Sequence, residues 1–119
     1  MYEISHLLYI GYGQEFTDSI QHHWGSHPYH DLEKGLDYLL ETYEFLDADR
    51  IAGLGASYGG YMINWLNGHS DRFKAFVNHD GMFSTVQAYY TTEELYFVEH
   101  DVRYTVINNT LQVIHLRFL

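Results

Sequence analysis

The pentapeptide Gly55-Ala56-Ser57-Tyr58-Gly59 places a serine between two glycines at the spacing G-x-S-x-G. A serine hydroxyl is a poor nucleophile until its geometry exposes it and a base takes its proton. This spacing suits the first requirement. At a sharp turn from strand into helix the serine adopts a strained backbone that pushes Oγ outward. Side chains two before and two after would strike neighbouring backbone, so Gly55 and Gly59 stand in those places. Gly60 adds further room. The chemistry available there is acyl transfer: Ser57 attacks a carbonyl carbon, and the backbone N–H of Tyr58, at the N-terminus of the helix, donates to the developing oxyanion. The same residues also read as a glycine-rich turn with an idle serine. A match of three fixed positions arises by accident about 4% of the time in a chain this long, so the flanking elements have to decide.

Those elements have the required order. Residues 51–56 form a short apolar run without polar alternation, the pattern of a strand buried on both faces. Residues 58–66 follow as a helix, with Tyr58, Met62 and Leu66 in one row and Gly68 as a C-terminal stop. Residues 74–79 read as a second strand, ended by Gly81. Upstream, Leu32, Leu36, Leu39, Leu40 and Tyr43 mark an amphipathic helix with Asp31 as its N-cap, and residues 11–31 read as loop or short elements. Helix, strand, helix, strand is the rhythm of a parallel α/β sheet. With only two strands, the chain reads as a piece of a larger α/β domain, since uncovered sheet faces and edges aggregate.

Composition narrows the partners. Six Lys and Arg against sixteen Asp and Glu give a net charge of −10 over 119 residues, which excludes the clustered cationic face that nucleic acid or an anionic membrane surface requires. With 46% hydrophobic and 18% aromatic residues the chain is of the packed, globular kind. It has no cysteine, hence no disulfide and no thiolate site. Residues 1–10, MYEISHLLYI, lack the basic start and the apolar length of a signal peptide or a membrane span. Of nine histidines, His22, His23, His27 and His30 crowd beside Asp31. A zinc site is the alternative considered for them, but the spacing follows no ligand pattern, so no metal is expected.

Ser57-Tyr58-Gly59-Gly60-Tyr61-Met62 followed by Asn64-Trp65 resembles the nucleophile region of the prolyl oligopeptidase family of serine peptidases, most closely its dipeptidyl-peptidase V-like members. Gly11-Tyr12-Gly13, Trp24-Gly25, Gly35-Leu36-Asp37-Tyr38, Asp49-Arg50-Ile51, Asp71-Arg72-Phe73-Lys74-Ala75 and His79-Asp80-Gly81 extend the resemblance over residues 11–101. It implies a partial α/β-hydrolase fold, the part of a peptidase catalytic domain around the nucleophile elbow, with residues 1–10 and 102–119 as divergent tails. It further implies a peptide substrate, no cofactor, Ser57 as nucleophile, Tyr58 as backbone oxyanion donor, and Tyr89 and Tyr90 around the substrate side chain. Complete members are often secreted.

The family takes its acid and its base, in the order Ser, Asp, His, from loops beyond Leu119. Asp101 and His115 preserve that order, but only 44 residues separate Ser57 from Asp101, and no strand-and-helix pattern carries them back. The expectation is a dipeptidyl-peptidase-like serine hydrolase lineage whose isolated chain is inert. A non-catalytic fragment or interaction module is the other reading.

Overall fold

The computed structural model describes residues 12–95. The expected tails, 1–10 and 102–119, and with them Asp101 and His115, lie outside the described residues. The elements run α1 (Gln14–Asp18), α2 (His27–Thr42), β1 (Ala52–Ala56), α3 (Tyr58–His69), β2 (Ala75–His79) and α4 (Thr85–Thr91).

The two strands pair in parallel, with Ala52 opposite Ala75 and Ala56 opposite His79. Parallel neighbours need a crossover, and α3 supplies it. This β–α–β unit, with α3 packed on the parallel sheet and α2 packed on α3, has the order that the expected partial α/β-hydrolase fold requires. The core lies where α3 meets the chain before and within α2: Tyr61, Met62, Ile63 and Leu66 are buried against Ile20 and Trp24, with Tyr29 and Leu32 at its margin. Polar bonds then tie α2 to the far end of α3. Arg72 contacts Glu33 at 2.8 Å and Asp37 at 2.7 Å, and the Ser70 hydroxyl donates to Glu33 at 2.8 Å. The bond to Glu33 is the chief reason the Arg72 guanidinium holds its proton more strongly than usual.

Three expectations need correction. Strand β1 is not buried on both faces: Leu54 is 63% exposed, and so is its β2 neighbour Val77, at 55%. The apolar run owes its unbroken look to Gly53 and Gly55, which face α3 because a Cβ on either would press on Ile63. Helix α2 begins at His27, not Asp31, with Ser26 as N-cap and Pro28 in its first turn. Proline's fixed φ suits a first turn, and its missing N–H costs nothing there. Helix α3 runs through Gly68 to His69, where the last turn is held by Trp65, whose ring stacks on that of His69 at 4.1 Å.

Candidate active site

Ser57 sits between the end of β1 and the first residue of α3 and is exposed. Its backbone has φ 55° and ψ −119°, a conformation that L-residues avoid. The register explains how it is held. The Ser57 N–H donates to the His79 carbonyl at 3.0 Å, continuing the strand pairing one residue past β1, while its own carbonyl already accepts from Tyr61 N–H at 3.1 Å. One residue is thus made to end a sheet and begin a helix. Ser57 is the N-cap of α3, yet its side chain makes no capping bond. Among the described residues Oγ has no hydrogen-bond partner and faces solvent.

The glycines divide the steric work differently from the expectation. A Cβ on Gly55 would lie 2.2 Å from the Gly59 carbonyl oxygen and 2.9 Å from Ile63, so strand and helix could not approach as they do. Gly59 itself is not constrained in that way, because a Cβ there meets nothing described within 4 Å. Gly60, expected only to give room, is in reciprocal close contact with Gly81: a Cβ on Gly60 would lie 2.4 Å from the Gly81 Cα, and one on Gly81 2.3 Å from the Gly60 carbonyl carbon.

Two asparagines to which sequence reasoning gave no role lock this second contact. Asn78 Nδ2 donates to the Gly60 carbonyl at 2.9 Å and to Asn64 Oδ1 at 3.0 Å, and Asn78 Oδ1 accepts from Gly81 N–H at 2.9 Å. Asn64 Nδ2 reaches the Met82 carbonyl at 3.1 Å. The turn after β2 is therefore fastened to the first turn of α3. Within that turn Asp80 also takes positive φ, 52°, and its carboxylate lies 3.6 Å from His79 Nε2, both side chains largely in solvent. No local pattern announces such a bond between residues 14 or 18 positions apart; the only signal was asparagine at a strand end facing glycines.

On the opposite side of α3, the Tyr58 hydroxyl donates to the Trp24 carbonyl at 2.6 Å, and the Trp24 ring meets that of Tyr58 edge to face at 5.3 Å. Burial, helped by the neighbouring Tyr61, pushes the Tyr58 phenol far above the usual tyrosine range, so it remains a donor at any physiological pH. Tyr89 packs at the margin of the core, whereas Tyr90 is 77% exposed; their rings meet edge to face at 5.3 Å. Neither hydroxyl bonds Ser57 among the described residues.

The histidine-rich stretch forms a different kind of contact. His23 and His27 stack at 3.8 Å on the surface, and His23 Nδ1 lies 3.2 Å from the Ser26 hydroxyl. Among the described residues no three His, Asp or Glu side chains are grouped to hold a metal ion, and no helix is long and apolar enough to cross a membrane. No described histidine hydrogen-bonds Ser57 Oγ. The site therefore comprises an exposed serine at a strained strand-to-helix turn, followed by the first turn of a helix.

The chain is similar to known proteins. Residues 10–113 match the prolyl oligopeptidase family of peptidases. Dipeptidyl-peptidase 5 of Schizosaccharomyces pombe is 53% identical over 93 residues, covering 76% of this chain and 14% of its own length. Dipeptidyl-peptidase 5 of Aspergillus oryzae is 47% identical over 102 residues, covering 83% of this chain and again 14% of its own length. Among solved structures, an acylaminoacyl peptidase of Pyrococcus horikoshii superposes with a TM-score of 0.75 at 28% identity, over 77% of this chain and 15% of its own. The chain thus spans about a seventh of the length of these relatives. Motif, fold and relatives agree: the chain belongs to the prolyl oligopeptidase family.

Proposed function

We propose that this chain carries the nucleophile of a serine peptidase of the dipeptidyl-peptidase type. The Ser57 hydroxyl attacks the peptide carbonyl and gives its proton to a base. The Tyr58 N–H, in the first turn of α3, donates to the tetrahedral oxyanion. The amine then leaves with a proton and an acyl-serine remains for water to hydrolyse. The observation that carries this reading is the strained, uncapped and exposed Ser57. Ser26 begins α2 without a capping bond as well, so it is the positive φ joined to exposure, not the missing cap alone, that sets Ser57 apart.

Relatives at about half identity are named for dipeptidyl release, which favours short peptides as substrates over the acylated ones suggested by the name of the more distant structural neighbour. The family resemblance adds Tyr89 and Tyr90 as contacts for the substrate side chain, and the exposure of Tyr90 leaves its ring free for that use. No histidine among the described residues hydrogen-bonds Ser57 Oγ, and inertness of the 119-residue chain by itself toward peptides is the second half of the proposal. The inert-fragment reading and peptidase ancestry are then compatible, because removing the base costs nearly as much rate as removing the triad.

A fluorophosphonate reagent tests this in the full chain. Labelling of Ser57, located by mass spectrometry, should be very slow alone, accelerate when imidazole is added as an external base, and vanish in Ser57→Ala. Equal labelling of Ser57→Ala would remove the nucleophile assignment. Rapid stoichiometric labelling without imidazole would remove the claim of inertness.

A further inference from the structure

We infer that the Tyr58 side chain positions the oxyanion donor: its hydroxyl bond to the Trp24 carbonyl, 2.6 Å long and 34 residues apart in sequence, fixes the direction of Tyr58's own backbone N–H. The inference rests on the Ser57 reading and deepens it.

The chain is anchored on both sides of the peptide unit joining Ser57 to Tyr58, whose own carbonyl accepts from the Tyr61 N–H at 3.1 Å. On the strand side the Ser57 N–H is bonded to the His79 carbonyl at 3.0 Å. On the helix side the Tyr58 ring ends in the bond to Trp24. That second anchor is itself packed in the core: Trp24 is 8% exposed, and its ring packs edge to face on both Tyr58 and Tyr61, at 5.3 and 5.8 Å. The next residue, Gly25, lies flat on Trp65, where a Cβ would come within 2.9 Å of three ring carbons. The Trp24 carbonyl is therefore aimed by packing on α3 itself.

An oxyanion donor acts through direction as much as presence, and small displacements of a preorganised group cost rate steeply. If Tyr58 were there only to fill space, phenylalanine would serve as well. The buried hydroxyl stays protonated, so the tether does not loosen with pH in the neutral range.

The test compares the full chain with Tyr58→Phe and Tyr29→Phe in the imidazole-assisted fluorophosphonate reaction. In that step Ser57 Oγ bonds phosphorus, fluoride leaves, and imidazole takes the hydroxyl proton. Each rate is divided by the folded fraction from circular dichroism. Tyr58→Phe should label roughly tenfold more slowly at saturating reagent, with the half-saturating concentration unchanged. Tyr29→Phe, which removes a hydroxyl bond to the His69 carbonyl at the far end of α3, should label at the parent rate. Parent-like labelling of Tyr58→Phe would overturn the tether while leaving Ser57 as nucleophile. Equal slowing in both variants would do the same, by showing general loosening of the helix. If the parent chain is not labelled at Ser57 even with imidazole, the nucleophile reading fails and this inference fails with it.

Discussion

Two serines begin helices after strands in this molecule, and they are used in opposite ways. Ser84 precedes α4 in an extended conformation, φ −128° and ψ 124°, and its Oγ accepts from the Gln87 N–H at 3.3 Å. Ser57 precedes α3 at φ 55° and ψ −119°, and its Oγ accepts no capping bond. A cap bond from serine contributes about 0.5–2 kcal/mol, and a residue held in a rare conformation costs about 1–3 kcal/mol. Ser57 forgoes the first and bears the second. Such a residue persists only where its surroundings leave it no alternative. Here the Gly55–Gly59 contact and the bond to the His79 carbonyl provide that constraint. The comparison teaches that residue type at a helix start does not reveal its use; backbone conformation does.

The sharpest way to break the comparison is to attack what forces Ser57 into place. Gly55→Ala sets a Cβ against the Gly59 carbonyl, backbone against backbone, where no rotamer change can relieve it. We expect a loss of about 3 kcal/mol, at the top of the usual overpacking range or beyond, read as a lower urea midpoint. A midpoint within error of the parent would show that strand and helix part easily, and the strain at Ser57 would lose its cause. Next in size is Ser57→Gly. Glycine accepts positive φ, so stability should rise by about 1–3 kcal/mol while fluorophosphonate labelling disappears. Ser57→Ala keeps the strain and should abolish labelling without that gain. A glycine variant no more stable than the alanine one would contradict the claim of strain. At the other serine the sign reverses: Ser84→Ala should lower stability by about 1 kcal/mol and leave the labelling rate unchanged.

The same contrast shows what the sequence made legible. The elbow was readable because its determinants are local: an apolar run, then glycine, serine and glycine, then a helical row. The two strands were found to within a residue at their starts for the same reason. An expected start of α2 at Asp31 comes too late because residues 11–31 show no sustained period, although Ser26, Pro28 and Leu32 suit a helix that begins at His27. The openness of the sheet face at Leu54 and Val77 could not be read from an apolar run, which has no alternation when every second residue is glycine. The clamp of Asn64 and Asn78 on Gly60 and Gly81 was invisible because it joins two elements through side-chain amides, and sequence spacing carries no trace of a bond across a crossover. The Tyr58 to Trp24 bond was hidden in the same way, inside a motif already noticed for its serine.

The smallest effect probes the part of the steric expectation that the structure moved. Within G-x-S-x-G both glycines look equivalent, yet only Gly55 is crowded. Gly59 lies in the first turn of α3 with open space where a Cβ would project, and its φ is not positive. Alanine is the better helix former because it loses less backbone freedom on folding, by about 0.5–1 kcal/mol in helix interiors and less near an end. Gly59→Ala should therefore raise the urea midpoint slightly in the 119-residue chain and leave imidazole-assisted labelling of Ser57 within twofold. A loss of stability comparable to that of Gly55→Ala would restore the symmetric elbow, in which both glycines are demanded by the turn itself. A stable variant that no longer labels would give the second glycine a different reason: a side chain there would stand in the path of the reagent approaching Ser57, so that the space beside the nucleophile, and not the turn, requires glycine.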